Sequence, residues 1–189
     1  MASDTRQRMI ETAAVLMRER GVEAMSFADV IARSGAPRGS IYHHFPAGKA
    51  QLVAEATAYA GDWIAAGLAT ALRGEDPVRA VRAFADGYRD ALRVSEVVAG
   101  CPVVAAALEG PRAPEARRAA AAAFGRWEEL LAGAIVAHGV AGESARGLAT
   151  LVIAALEGAI VLARAEGSLA PFDRVMEQVT DLLTAALGR

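Results

Sequence analysis

Between Ser26 and Leu52 the chain reads SFADVIARSGAPRGSIYHHFPAGKAQL, and this stretch gathers the side chains best suited to contacting a polyanion. Pro37, Arg38, Gly39 and Ser40 make a thin leading edge, so a helix opening on them brings its backbone close to the edges of stacked bases. The planar fork of Arg38 fits guanine bidentately in the major groove; a hydroxyl at Ser40 bonds a base edge or a phosphate without distinguishing them. Tyr42, His43 and His44 follow, and phenol or imidazole groups donate to phosphate oxygens. Lys49 is the one lysine of the chain, and at a helix start its charge and the free backbone N–H groups both favour a phosphate. Ser26 opens another helix in the same way, and is expected to cap it whether or not it also meets a phosphate. Metal at His43 and His44 is not expected, because neighbours on a helix point about 100° apart and cannot share one ion.

Other chemistries are missing from the pattern. There is no HExxH, no phosphate-cradling glycine loop, no dinucleotide fingerprint and no defensible grouping of Ser, His and acid. The chain is therefore not read as an enzyme, and no cofactor is expected. His138 stands alone before Gly139 and reads as a helix-end residue. Cys101 has no second cysteine to pair with, and ahead of Pro102 it reads as a small buried hydrophobe rather than an oxidant sensor.

The elements that position these groups are helices. Runs rich in β-branched and aromatic residues with period-two alternation are missing, which predicts an all-α protein of nine helices. The first spans about Thr5 to Arg20, with Gly21 as a left-handed cap. Ser26 caps a second, Phe27 to Arg33, stopped by Gly35; a third opens at Pro37 and ends near His44. Ile41 and Phe45, spaced i, i+4, are expected to turn inward. A long helix from about Lys49 to Leu72 follows, then one opened by Asp76-Pro77 that carries Val81, Phe84, Ala85, Tyr88 and Leu92 toward a core. Further helices are expected over about Gly100 to Glu109, Glu115 to His138, Glu143 to Glu166 and Phe172 to Leu187, with a loop at Gly110–Pro114.

With 189 residues, 54% of them hydrophobic, the chain is long enough to bury a core without disulfides. Its net charge of −2 excludes a generic polycation, so any nucleic-acid contact must come from a local patch. Residues 1–50 hold seven basic and five acidic side chains, against 13 and 17 in the remainder, which confines attraction for polyanions to the N-terminal part. The mean hydropathy of +0.27 is carried by alanine, and charges are expected to interrupt every stretch before a membrane helix is reached. The opening MASDTRQRMIETA lacks the apolar run of a secretory signal, so the expectation is a cytoplasmic protein with no membrane span.

Gly21, Ser26, Gly35, Tyr42, His44, Phe45 and Lys49 occur in a telling order: helix, Gly, hydroxyl-capped helix, Gly, short helix, Tyr-x-His-Phe, then a Lys opening a long helix. This resembles the DNA-binding domain of the TetR family of transcriptional repressors. APRGSIYHHFPAGK and the later Gly100-Cys101-Pro102-Val103 resemble its LmrA/YxaF-like branch. The resemblance implies a helix-turn-helix domain over 1–48 and a ligand-binding and dimerising domain over 49–189. It further implies a homodimer on double-stranded operator DNA, released by a small, largely apolar effector. Among the middle helices, Trp63, Phe84, Tyr88, Cys101, Phe124 and Trp127 are the candidates for lining its pocket.

For the dimer, Leu151, Ala155, Gly158, Leu162 and Ala165 form one stripe, and Phe172, Val175, Met176, Val179, Leu182, Leu183 and Ala186 a broader apolar face. Two such helices from each subunit would make a four-helix bundle, and a pair of reading heads suits two half-sites. The competing readings are an activator, a regulator answering to a protein, or a helical interaction module without a small-molecule ligand.

Overall fold

The computed structural model describes residues 2–74, 76–110 and 113–188. Among them are nine helices and no strand: α1 Ala2–Ala24, α2 Phe27–Ser34, α3 Ser40–His44, α4 Lys49–Ala71, α5 Pro77–Val94, α6 Pro102–Ala107, α7 Pro114–Ala137, α8 Gly142–Glu166 and α9 Ala170–Ala186. The all-α expectation holds. Of the expected loop at Gly110–Pro114, Pro111 and Arg112 lie outside the described residues. The chain packs as two compact units, Met1–Trp63 with Cys101–Ala123, and Ile64–Gly100 with Phe124–Arg189.

In the first unit α1 packs against α2 and α6. Met9, Ala13, Leu16 and Met17 recur at helical spacing along α1 and are buried, and Val30 of α2, Ile41 of α3 and Phe45 join them in the core. Two local expectations need correction. Gly21 breaks α1, but with φ 81° and ψ 171° it is in an extended left-handed conformation rather than a helical left-handed cap, so one more short turn follows to Ala24. The third helix does not open at Pro37. Pro37, Arg38 and Gly39 form a turn and α3 starts at Ser40, because the Ser40 N–H and its hydroxyl both donate to the Pro37 carbonyl, at 3.0 and 2.7 Å. Gly35 supplies the left-handed residue (φ 66°, ψ 21°) that ends α2 and starts this turn.

The same unit contains one very close helix approach. A Cβ added to Gly61 of α4 would lie 2.6 Å from the Cβ of Ala123 of α7, so only a hydrogen fits there. The alanines of α7 that face inward, Ala116, Ala120 and Ala123, permit this spacing.

In the second unit α9 packs against α8 and α5. Ala145, Ala149, Ala159 and Ala163 are fully buried along α8, which lets Phe172, Met176, Val179 and Leu183 of α9 pack deep against its neighbours. Asp76 caps α5 as expected, accepting from the Val78 N–H at 2.7 Å. Contrary to the expectation that charges break every apolar run, α8 is long and apolar enough by length and composition alone to cross a membrane. Its composition has a simpler cause. One face is buried within the unit, and the opposite face, with Leu151, Val161 and Leu162, is also apolar but exposed.

The approach at Gly61 gives a sharp contrast in stability. Gly61→Ala is expected to destabilise, since overpacking costs about 1–3 kcal/mol and helix propensity returns at most about 1 kcal/mol. Gly87→Ala in α5, where an added Cβ meets nothing within 4 Å, is expected to stabilise by about 0.5–1 kcal/mol. Urea unfolding of both variants measures the difference, and Ala123→Gly in the Gly61→Ala background should restore the loss.

Candidate functional site

The capping of α2 sets the geometry of the N-terminal surface. The Ser26 hydroxyl accepts from the Asp29 N–H at 3.2 Å, while the Asp29 carboxylate accepts from the Ser26 N–H at 3.0 Å and from the Ser26 hydroxyl at 2.6 Å. Ser26 is exposed, but its hydroxyl hydrogen is committed to a carboxylate, and an anion approaching it meets that negative charge. These hydrogen bonds from Ser26 hold the Asp29 carboxyl below its usual range.

The turn and short helix beyond it form a two-sided element. Ile41 and Phe45 are fully buried, as expected. On the other side Pro37, Arg38, Gly39, Tyr42 and His43 are exposed, with Ser40 and His44 half-buried. Tyr42 is 70% exposed and held edge-on against Phe27, with ring centroids 5.5 Å apart. Phe27 is a positioning residue that the sequence reading missed; only its place one residue after the cap hints at it. The imidazoles of His43 and His44 lie edge-on at 5.3 Å, and no group of three metal-ligating side chains occurs among the described residues.

The positive charge of this region is more focused than a count of residues suggests. Arg6 reaches both oxygens of Glu55, at 2.6 and 2.7 Å; Arg8 pairs with Asp4, Arg33 with Glu19, and Arg20 stands 3.7 Å from Asp29. Arg38, exposed on the turn, has no carboxylate partner among the described residues. Lys49 is half-buried and donates to the Glu23 carbonyl at 3.1 Å, which ties the start of α4 to the end of α1 and leaves two ammonium hydrogens for other acceptors. What remains for a polyanion is Arg38 and Lys49, together with Arg18, which is half-buried with its Nε enclosed.

The second unit holds an apolar cavity enclosing about 20 Å³, walled by Phe84 and Tyr88 of α5, Trp127 of α7, and Val152, Leu156 and Glu157 of α8. Phe84, Tyr88 and Trp127 are thus brought together. Phe124 packs edge-on against Trp127 at 5.1 Å and does not border the cavity. Trp63 is 66% exposed, because the inward face of α4 is set by Ile64 and Leu68, and Trp63 lies about 100° round the helix from Ile64. Cys101 is buried at the start of α6 in the first unit and is not part of the cavity wall. Glu157 was not foreseen. Its signal was available, since it is the one charged residue between Arg146 and Arg164.

The two stripes expected at a dimer interface have different fates. Leu151, Gly158, Leu162 and Ala165 of α8 are exposed and Ala155 half-buried. In α9, Phe172, Met176, Val179 and Leu183 are buried inside the unit and Val175 is half-buried, so this stripe belongs to the chain's own core. Periodicity marks an apolar face without saying what covers it. The α9 residues of that face left outside are Leu182 and Ala186.

Comparison with known proteins gives a consistent picture. Residues 9–56 match the family described as bacterial regulatory proteins, tetR family, and residues 77–178 match the C-terminal domain of LmrA/YxaF-like transcriptional regulators. An HTH-type transcriptional regulator of Mycobacterium tuberculosis is 42% identical over 188 residues, covering 96% of this chain and 95% of the relative. The HTH-type regulator YxaF of Bacillus subtilis is 31% identical over 182 residues, covering 95% of each. The crystal structure of a TetR transcriptional regulator from Legionella pneumophila superimposes with a TM-score of 0.84 at 25% identity, covering 93% of this chain and 95% of that one. These relatives are transcriptional regulators, not enzymes.

Acid should loosen the N-terminal surface. Arg33 hydrogen-bonds Glu19 and lowers its pKa, as Ser26 does for Asp29. Groups lowered in the folded state stabilise above their unfolded values of about 4 and lose that contribution as pH falls through the lower folded values. The expected result is an unfolding midpoint that drops as pH falls below about 4. Ser26→Ala should cost about 1 kcal/mol near neutrality, with the gap to the parent narrowing as Asp29 protonates but not vanishing, because the Asp29 N–H to Ser26 hydroxyl bond does not depend on that charge. Thermal unfolding followed by circular dichroism across this range checks both.

Proposed function

Because the chain belongs to the TetR family of transcriptional regulators, in its LmrA/YxaF-like branch, we propose that it represses transcription by binding a palindromic operator as a homodimer and is released by a small, largely apolar effector. The observation that carries the reading is the two-sidedness of the turn and α3: Ile41 and Phe45 fully buried beneath, Arg38 and Tyr42 exposed above. In this reading residues 1–48 read DNA and residues 49–189 bind effector and partner, in the cytoplasm. Arg38 reads a base edge, with Pro37, Gly39 and Ser40 allowing close approach. Tyr42, His43, His44 and Lys49 hold phosphates, and Ser26 serves first as a cap.

The exposed apolar face of α8, with Leu151, Gly158, Leu162 and Ala165, supports pairing with a second copy, joined by Leu182 of α9. Gly158 and Ala165 let a partner helix approach closely. Each copy then contributes one reading head to a half-site, with the two separated by about one helical turn of DNA or a multiple of it.

Effector control follows from differential binding. Ligand pockets enclose about 300–1,000 Å³, far above the space present here, so an effector favours a conformation in which the cavity has opened. α4 runs continuously from Lys49 into the second unit, so a shift of its far end changes the reading heads' spacing. A coupling of about 1–3 kcal/mol would weaken operator binding about 5- to 150-fold. The small enclosed volume also favours, as a second reading, a regulator that answers to a protein or to no ligand.

Sequencing the genomic DNA fragments retained by the purified protein tests the operator reading, and a reporter assay with and without the gene separates repression from activation. On a retained fragment, Arg38→Ala is expected to cost about 1–3 kcal/mol and relax preference at one base pair. Lys49→Ala should weaken all sequences alike and lower the salt slope by about 1. Gel shifts at several salt concentrations distinguish the two, and identical behaviour would refute this division of labour. In sedimentation, the parent should run at twice the 19.6 kDa chain mass, and Leu162→Asp should run as a single chain with loss of operator binding.

A further inference from the structure

We propose that two copies of this chain also meet at the open groove between the α5–α6 connection and the end of α8, where Glu96 of each copy pairs with Arg164 of the partner subunit. This rests on the reading that the apolar face of α8 joins two copies, and it adds a segment and a charge pattern that reading leaves out.

The connection is held in a conformation that its residues resist. Glu96 and Val97, at φ 52° and 62°, are the two non-glycine residues with positive φ among those described, and a β-branched side chain strongly disfavours that region. Hydrogen bonds fix the turn nonetheless. The Val97 N–H donates to the Leu92 carbonyl at 2.7 Å and the Val98 N–H to the Ser95 carbonyl at 3.0 Å. The Ser95 hydroxyl donates to the Leu92 carbonyl and accepts from the Ala99 N–H. Burial offsets little of the strain, since Val97 is half-buried and Val94, Glu96 and Val98 are exposed. Its product is presentation: a carboxylate and two valines held outward in one fixed register.

Across the groove stand Val161, Arg164 and Ala165 of α8. Val161 is exposed, and Ala165 also belongs to the exposed face with Gly158 and Leu162, so the groove runs on from that face. The two charged residues on its walls are one acid and one base. Among the described residues neither makes an ion pair, whereas the exposed Arg89, Arg93 and Arg174 find Asp173, Asp90 and Glu166. A two-fold contact brings residue i of one copy to residue j of the other and j to i, so opposite charges side by side on one surface complement their own copy. Closing the groove withdraws Val98 and Val161 from water beside both pairs, where the attraction exceeds that of fully hydrated charges.

The test is the strength of self-association of the full chain, followed by fluorescence-detected sedimentation over a dilution series. Glu96→Arg and Arg164→Glu each set like charges against one another at both symmetric positions, and each is expected to raise the dissociation constant at least about tenfold. Both substitutions in one chain restore opposite pairing, and should bring the constant back to within about threefold of the parent. A parent dimer indifferent to the single reversals, or a double reversal that associates no better than the singles, overturns the pairing, leaves the groove to another partner and keeps the α8 face as the contact between copies. A parent that runs as one chain at every dilution sinks both readings. Should a reversal fail to fold by circular dichroism, Glu96→Gln and Arg164→Gln take its place. Each should weaken the dimer and flatten its dependence on salt, and an unchanged salt dependence overturns the proposal.

Discussion

A helix of five residues has no stability of its own in water, because nucleating the first turn fixes several backbone angles for one hydrogen bond. α3 exists because Ile41 and Phe45 are driven out of water into the α1 and α2 core and because Ser40 bonds back to Pro37. Arg6 reinforces the arrangement, with its guanidinium 5.2 Å from the centre of the Phe45 ring and its charge held by Glu55 of α4. The exposed edge is therefore rigid by virtue of what lies beneath it. The fixed register of Arg38 and Tyr42 depends on that burial, since loss of the inner side would release both.

Charge in the N-terminal unit is arranged by subtraction. Exposed ion pairs of the kind made by Arg8 and Arg33 contribute little to stability, about 0–1 kcal/mol each. Their larger consequence is electrostatic. Arginines neutralised by nearby carboxylates attract phosphate weakly, so the surviving charge is that of the exposed Arg38 and the half-buried Arg18 and Lys49. A protein of net charge −2 belonging to a DNA-binding family manages its contact with a polyanion through placement instead of total charge.

The second unit turns on α8, which has no polar face to offer water over most of its length. One side is sunk against α9, and the other carries leucine, valine, glycine and alanine into solvent. Exposed apolar surface of this extent marks an interaction surface in a folded protein. Between the two sides sits Glu157, at the wall of the aromatic cavity. The same helix thus carries an exposed apolar face and part of the cavity wall.

Periodicity and helix-capping chemistry are local, and what they govern was readable from the chain itself. The all-α class, the caps at Ser26 and Asp76, the stop at Gly35, the inward turn of Ile41 and Phe45, and the family order from Gly21 to Lys49 all depend on residues a few positions apart. Tertiary structure alone decided which partner each face would find. It buried the α9 stripe at home, turned Trp63 outward, set Phe27 under Tyr42 and placed Glu157 beside three aromatic rings. It also paired four N-terminal arginines with acids, one of them 49 positions away. The physical reason is that an apolar or charged side chain states what it needs, while the neighbour that satisfies it is chosen by how helices far apart in sequence pack.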